Sequence, residues 1–343
     1  MVALEDLKQE AKNVLEGGTV KYIIGYKKPA AGFMAVPAFF HKPEDLDALV
    51  WDPTCFHNLV LFLKDEKKRK LGQKEPDERP VGIVVKGCDS RAVNVLLQEN
   101  YIDRENVYIL GVSCGKTGMV DLKKVRKYFM GKIISQIDFN ENESFTVTTT
   151  EGKVEVPATD IFADRCTECR TASPVIHDVL LGEDSVRTPE NPFGSLEEME
   201  NKSQEQKWDF WQEQLTKCIR CYACRSICPM CYCDECVVDT INFAVYPDTP
   251  AEEKAQKIKW VEKSPTTSEN FIYHMVRAIH LAGRCVDCAE CERACPVDIP
   301  LRFLNKKLEK ESKELFDYDV GYDIEIPALI SSFRDEDPED FIR

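Results

Sequence analysis

Cys218-Ile219-Arg220-Cys221-Tyr222-Ala223-Cys224-Arg225-Ser226-Ile227-Cys228-Pro229 and Cys285-Val286-Asp287-Cys288-Ala289-Glu290-Cys291-Glu292-Arg293-Ala294-Cys295-Pro296 repeat one pattern, C-x2-C-x2-C-x3-C-P. A [4Fe-4S] cube takes four thiolates, one per iron, and in paired runs of this kind the fourth cysteine reaches the other cube. The spacing therefore assigns Cys218, Cys221, Cys224 and Cys295 to one cube, and Cys285, Cys288, Cys291 and Cys228 to a second. A structural zinc site would show two ligand pairs separated by a longer loop. Four cysteines within eleven residues, twice over and each time ending in Cys-Pro, do not suit one tetrahedral ion.

Working outward, the stretch around these motifs reads as mostly helical. Ser203 and Gln206 form a capping box for a helix running to Lys217. Trp208 and Trp211 on that helix read as core packing. A second helix is expected from about Ser268 to Ala282, stopping at Gly283, and a third from Leu301 to Phe316. The long gap between Cys228 and Cys285 also holds a helical pattern from Glu252 to Lys259. This arrangement resembles the helical dicluster domains of succinate dehydrogenase iron–sulfur subunits and heterodisulfide reductase small subunits. The resemblance implies two cubes fixed close together as an electron relay.

The remaining sequence sets the frame. Lys+Arg number 45 against Asp+Glu 60, a formal charge of -15, which excludes the basic footprint of a nucleic-acid binder and disfavours an anionic membrane surface. No apolar run approaches the ~20 residues of a membrane-spanning helix. Met1 to Glu16 is amphipathic and lacks the apolar core of a secretory signal. These features predict a cytoplasmic protein, and in that compartment sixteen cysteines point to metal ligation ahead of disulfides.

Residues 1–185 read as an α/β domain. Leu4, Leu7, Ala11, Val14 and Leu15 recur at helical spacing up to Gly17-Gly18. Thr19 to Tyr26 and Gly32 to Phe40 read as strands, Pro43 to Trp51 and Phe56 to Leu63 as helices. Val81 to Val85 and Val107 to Val112 are short apolar runs of the kind that fill buried strands, each followed by a helical pattern, Arg91 to Leu97 and Asp121 to Phe129. Phe145 to Thr150 and Lys153 to Val156 flank Glu151-Gly152 as a hairpin. A polar stretch with Pro189, Pro192 and Gly194 marks a linker over 186–202, the helical domain covers 203–320, and 321–343 reads as an acidic tail.

Cys88 and Cys114 each follow one of the two apolar strands, and ligands collect beyond the carboxyl ends of strands in open α/β sheets. Cys166-x2-Cys169 follows the hairpin. Through these residues, from Thr19 to Gly182, the chain resembles the beta subunits of deazaflavin-reducing hydrogenases and formate dehydrogenases. The resemblance implies that Cys88, Cys114, Cys166 and Cys169 hold a third [4Fe-4S] cluster, next to an FAD that exchanges hydride with the deazaflavin. That family's Cys-Gly-Gly segment, part of its flavin site, has no counterpart in residues 1–25. The helical half is similar to sulfhydrogenase beta subunits and to iron–sulfur subunits of heterodisulfide reductase complexes.

Four cysteines are left. Cys55 with Cys231, Cys233 and Cys236 could supply a fourth metal site; the plainer reading makes some of them reduced thiols near a cluster. Gly111 to Thr117 ends in Gly-Lys-Thr, but Leu110 stands where a phosphate loop requires glycine. No G-x-G-x-x-G occurs. His274 and His280 read as packing or surface residues; His41, His57 and His177 show no partner pattern. The expectation is an iron–sulfur electron-transfer subunit, partnered by a heterodisulfide-reductase-like flavoprotein and by a hydrogenase or formate dehydrogenase. The alternatives are an enzyme subunit that uses FAD to reduce a deazaflavin or nicotinamide, and a free ferredoxin-like carrier.

Overall fold

The computed structural model describes residues 4–72, 74–115, 118–140, 142–233, 236, 238, 250 and 264–333. The helical pattern expected at Glu252 to Lys259 and the acidic end from Arg334 lie outside them. The chain divides into two compact units: Met1–Gly194 with Val320–Pro327, and Ser195–Asp319 with Ala328–Arg343.

The first unit is α/β. After the amphipathic helix α1 (Leu4–Glu16), β1 (Ile23–Lys27) pairs antiparallel with β2 (Val36–Phe40) and parallel with β3 (Val81–Val85). Strand β3 runs parallel to β4 (Val107–Val112), from Val81 opposite Val107 to Val85 opposite Gly111. Every residue of β3 is buried, so the uninterrupted run Val81-Gly82-Ile83-Val84-Val85 is a strand covered on both faces. A separate antiparallel sheet, β5 (Ile134–Phe139), β6 (Ser144–Thr149) and β7 (Gly152–Pro157), is built around its own core of Ile137, Phe145, Val147 and Val156. The short β8 (Val179–Leu181) completes the order β2-β1-β3-β4-β8.

Helix α2 (Leu61–Leu71) starts later and runs further than Phe56 to Leu63, because its last two turns are the charged Lys64–Lys70 stretch that carries no apolar signal. Helix α3 (Gly87–Gln98) begins directly beyond β3 and is buried almost throughout. Its first residue has to be glycine: a Cβ on Gly87 would meet the Thr171 carbonyl oxygen at 1.9 Å. That close approach brings the 171 loop against the start of α3, next to Cys88. Helix α4 (Leu122–Tyr128) is capped by Asp121, whose carboxylate accepts from the Lys123 and Lys124 amides.

The described elements of the second unit are helices. After α5 (Ala158–Ile161) and α6 (Asp164–Thr167) of the first unit come α7 (Gly194–Glu200), α8 (Gln204–Thr216), α9 (Ala223–Ser226), α10 (Thr267–His280), α11 (Glu290–Arg293) and α12 (Leu301–Phe316). The capping box forms: the Ser203 hydroxyl accepts from the Gln206 amide at 3.2 Å, and the Ser203 amide donates to Gln206 Oε1 at 2.9 Å. Trp211 packs against the core, but Trp208 is 58% exposed and stacks on Phe271 at 5.0 Å.

Two boundaries differ from the sequence reading. The linker over 186–202 contains α7, whose Leu196 is buried and whose Glu200 pairs with Lys307 and Lys310 of α12 at 2.8 and 2.6 Å. One apolar side chain in a polar run suffices because ion pairs complete the attachment. Residues 321–327 are not tail either. Arg91 donates to the Val320 carbonyl, Asn94 to that of Gly321, and Gln98 to those of Asp323 and Ile326. The anchoring groups are backbone carbonyls, which composition does not reveal. Among the described residues, no helix is long and apolar enough to cross a membrane.

Candidate metal centres

The two repeated motifs fold into the same backbone turn. Arg220 and Tyr222 in the first, and Asp287 and Ala289 in the second, occupy equivalent positions with left-handed φ of 55°, 59°, 55° and 55°. Each turn then enters a one-turn helix, α9 or α11. None of the four is glycine, so each conformation costs about 1–3 kcal/mol, which the surrounding structure has to offset. Alternation into the left-handed region makes successive amides converge into a nest suited to anionic sulfur. The amides of Arg220, Asp287 and Glu290 bond the sulfurs two residues back, those of Cys218, Cys285 and Cys288.

The structure brings the first set together around one small cavity, lined by Cys218, Cys221, Cys224 and Cys295 with Tyr273 and His274. Cys295, from the far motif, takes the Ile299 amide on its Sγ at 3.4 Å. The Tyr273 hydroxyl lies 3.4 Å from Cys224 Sγ, and His274 Nε2 lies 3.4 Å from Cys218 Sγ. The charge of Cys228 acts on Cys288 and Cys291 of the second motif. The thiols of Cys285 and Cys288 are held well above the ordinary range by burial, and Cys291 is pushed up to about 12 by the same cause. Arg277 reaches both sets. Its Nη2 donates to the Cys224 carbonyl at 2.9 Å, and its charge is sustained, against burial, by Cys291, Cys224 and Cys228.

The donor chemistry fits a [4Fe-4S] cube in each place. All four donors of each set are thiols, the nest amides face sulfur, and Arg277 Nε and His274 Nδ1 are buried polar atoms with no hydrogen-bond partner. Among the described residues, no three His, Cys, Asp or Glu side chains converge tightly enough to hold a single ion.

The third set lies in the first unit. Cys88 opens α3, and Cys114 follows β4 with its amide on the Ala172 carbonyl at 2.8 Å. Cys166 on α6 accepts from the Met119 amide at 3.4 Å, and Cys169 from the Thr171 amide at 3.3 Å. Their charges are mutually felt. Cys114 is pushed up to about 12 by burial, with Cys166 and Cys169 adding to the effect; Cys88 rises through burial and Asp89, with Cys169 contributing. Arg187 spans the set, donating to the Gly115 and Cys166 carbonyls, while its Nη2 is buried without an acceptor. Four thiols and an unsatisfied guanidinium nitrogen again suit a cube.

The four remaining cysteines are divided between the two units. Cys55 is fully buried in the first unit, where its thiol contacts the Val50 carbonyl and the Asp52 amide, and burial raises its pKa. Its nearest charges, Asp52, Lys86 and Lys28, belong to that same unit. Cys231, Cys233 and Cys236 lie in the second unit. Cys231 pairs with the Cys228 thiol, Cys236 packs on the core, and Cys233 is exposed. Sequence reasoning took His274 for a packing or surface residue and passed over Tyr273 and Arg277. Their spacing at 273, 274 and 277 on one amphipathic helix was the available signal.

The chain is similar to several known proteins. Residues 78–210 match the family described as the C terminus of the coenzyme F420 hydrogenase/dehydrogenase beta subunit. The chain is 22% identical to the F420-dependent formate dehydrogenase subunit beta of Methanocaldococcus jannaschii, over 94% of this chain and 93% of the relative. It is 26% identical to the F420-dependent formate dehydrogenase 1 subunit beta of Methanococcus maripaludis, over 93% and 91%. Among solved structures, a chain of the F420-reducing [NiFe] hydrogenase complex of Methanosarcina barkeri aligns with 19% identity and a TM-score of 0.35, covering 47% of this chain and 58% of that one. The chain is thus similar to beta subunits of the coenzyme F420 hydrogenase/dehydrogenase family, whose C-terminal family model matches residues 78–210.

Proposed function

We propose that the chain is the iron–sulfur electron-transfer subunit of a multi-subunit oxidoreductase of the hydrogenase or formate dehydrogenase type. In this reading the second unit holds two [4Fe-4S] clusters with crossed ligation and the first unit holds one more. What supports the reading is that Cys295, from the second motif, lines the cavity of the first, while the charge of Cys228 acts on Cys288 and Cys291 of the second. One-electron transfer is the chemistry the clusters supply when bound. The chain's own residues hold them rigidly: nest amides and buried cations meet the added charge without rearrangement. A catalytic partner and a flavoprotein of the heterodisulfide reductase type would stand at the two ends of the relay, in the cytoplasm.

Replacing Cys224 by Ala tests this in the full chain prepared without oxygen. The variant should lose about four irons and destabilise the second unit, because cluster binding and folding are linked. Undiminished iron in a normally folded variant would refute it.

A second reading, an enzyme subunit that binds FAD and reduces a deazaflavin, is favoured by the F420-dependent activity in the relatives' names. Stoichiometric flavin in the purified chain, with deazaflavin turnover, would establish it.

A further inference from the structure

The two motif turns are superposable in φ but opposite in charge. Their equivalent left-handed positions carry Arg220 in the first and Asp287 in the second, both buried. Arg220 donates its backbone amide to Cys218 Sγ, places its guanidinium 4.8 Å from the Tyr273 ring centre and donates to the Glu269 carbonyl at 2.8 Å. Asp287 donates its amide to Cys285 Sγ in the same way. Its carboxylate, however, is bound by Arg302 at 2.6 and 2.7 Å and by Lys306 at 3.0 Å, and Lys306 pairs in turn with Glu309 at 3.0 Å. These four buried side chains sum to zero charge. Solvent exposure differs in the same sense: Cys221 in the first motif is exposed, whereas Cys288, its equivalent in the second, is half-buried.

From this asymmetry we infer that the first-motif cluster is the higher-potential member of the pair, with Arg220 as the residue that sets the order. The inference rests on the cluster assignment above. Arg277 reaches both sets, so the difference lies with Arg220 and with water: reduction adds a negative charge that a further cation and contact with water stabilise at the first motif, and the Asp287 group, neutral in sum, does so less. One electron therefore passes downhill from the second-motif cluster, which is oxidised, to the first-motif cluster, which is reduced, with no proton or bond exchanged. The exposed Cys221 edge is then the end where the electron comes to rest.

The test is a redox titration of the full chain prepared without oxygen, followed by electron paramagnetic resonance. Besides the couple of the first-unit cluster, wild type should show two separate couples from the paired clusters. Arg220→Gln should lower the upper couple so that its oxidised-to-reduced ratio at fixed potential rises at least tenfold, a shift of about 59 mV for one electron, with the lower couple in place. Arg220→Lys, which keeps the charge, should restore the wild-type value. Asp287→Asn should raise the lower couple and leave the upper one. The inference is overturned if Arg220→Gln with full iron moves neither couple or moves the lower one. It is equally overturned if Arg220→Gln fails to load and Asp287→Asn leaves the lower couple unchanged. Wild type without cluster signals would instead overturn the cluster assignment itself.

Discussion

His274 Nε2 lies 3.4 Å from Cys218 Sγ, on a ring only 3% exposed. Burial, followed by the charges of Arg277 and Arg220, holds this imidazole down to about 3, so it is neutral in the folded chain. An unfolded histidine takes up a proton near pH ~6.5. The folded pKa is depressed, so the stabilising contribution is present above ~6.5 and is lost as pH falls towards 3, at about 1.4 kcal/mol per pH unit. Denaturant melts of the full chain between those limits should show this slope, and His274→Gln should flatten it. An unchanged slope in the variant would place the acid sensitivity elsewhere.

Lys86, buried beneath Cys88, donates to Asp89 Oδ2 at 2.7 Å, the Tyr26 hydroxyl at 2.8 Å and the His57 carbonyl at 2.6 Å. Lys86→Met removes the cation that faces a buried carboxylate and should cost about 3–5 kcal/mol. Thermal unfolding measures this, and pairing the change with Asp89→Asn should recover part of the loss.

Gly87→Ala sets a methyl 1.9 Å from the Thr171 carbonyl oxygen, on the loop whose amide bonds Cys169. The contact is with backbone, so the loop has to move. We expect the variant to lose about four irons from the first unit while the signals of the paired clusters persist. Retention of the full iron content would show that the 171 loop does not position Cys169.

Some of this was legible in sequence and some was not, for physical reasons. The paired cysteine runs could be read because ligand spacing within a turn is local, and the Ser203–Gln206 box could be read for the same reason. Strand β3 announced itself by being apolar on both faces. Strand β5 was missed because its pairing shifts between Ile134 and Gln136, which breaks the alternation that marks a half-buried strand. The setting of Cys55 and the attachment of 321–327 to α3 depend on contacts between residues far apart in the chain. The same holds for Arg277, which serves both motifs through space.

The most direct measurement is iron per chain, with matching acid-labile sulfide, in protein prepared without oxygen. Each cube takes four irons and four thiolates, so the two motifs with the Cys88, Cys114, Cys166 and Cys169 set predict about 12 irons. Cys88→Ser should lower that to about 8 and leave the paired clusters intact. About 8 irons in wild type would contradict the account, leaving the four cysteines of the first unit as packing residues.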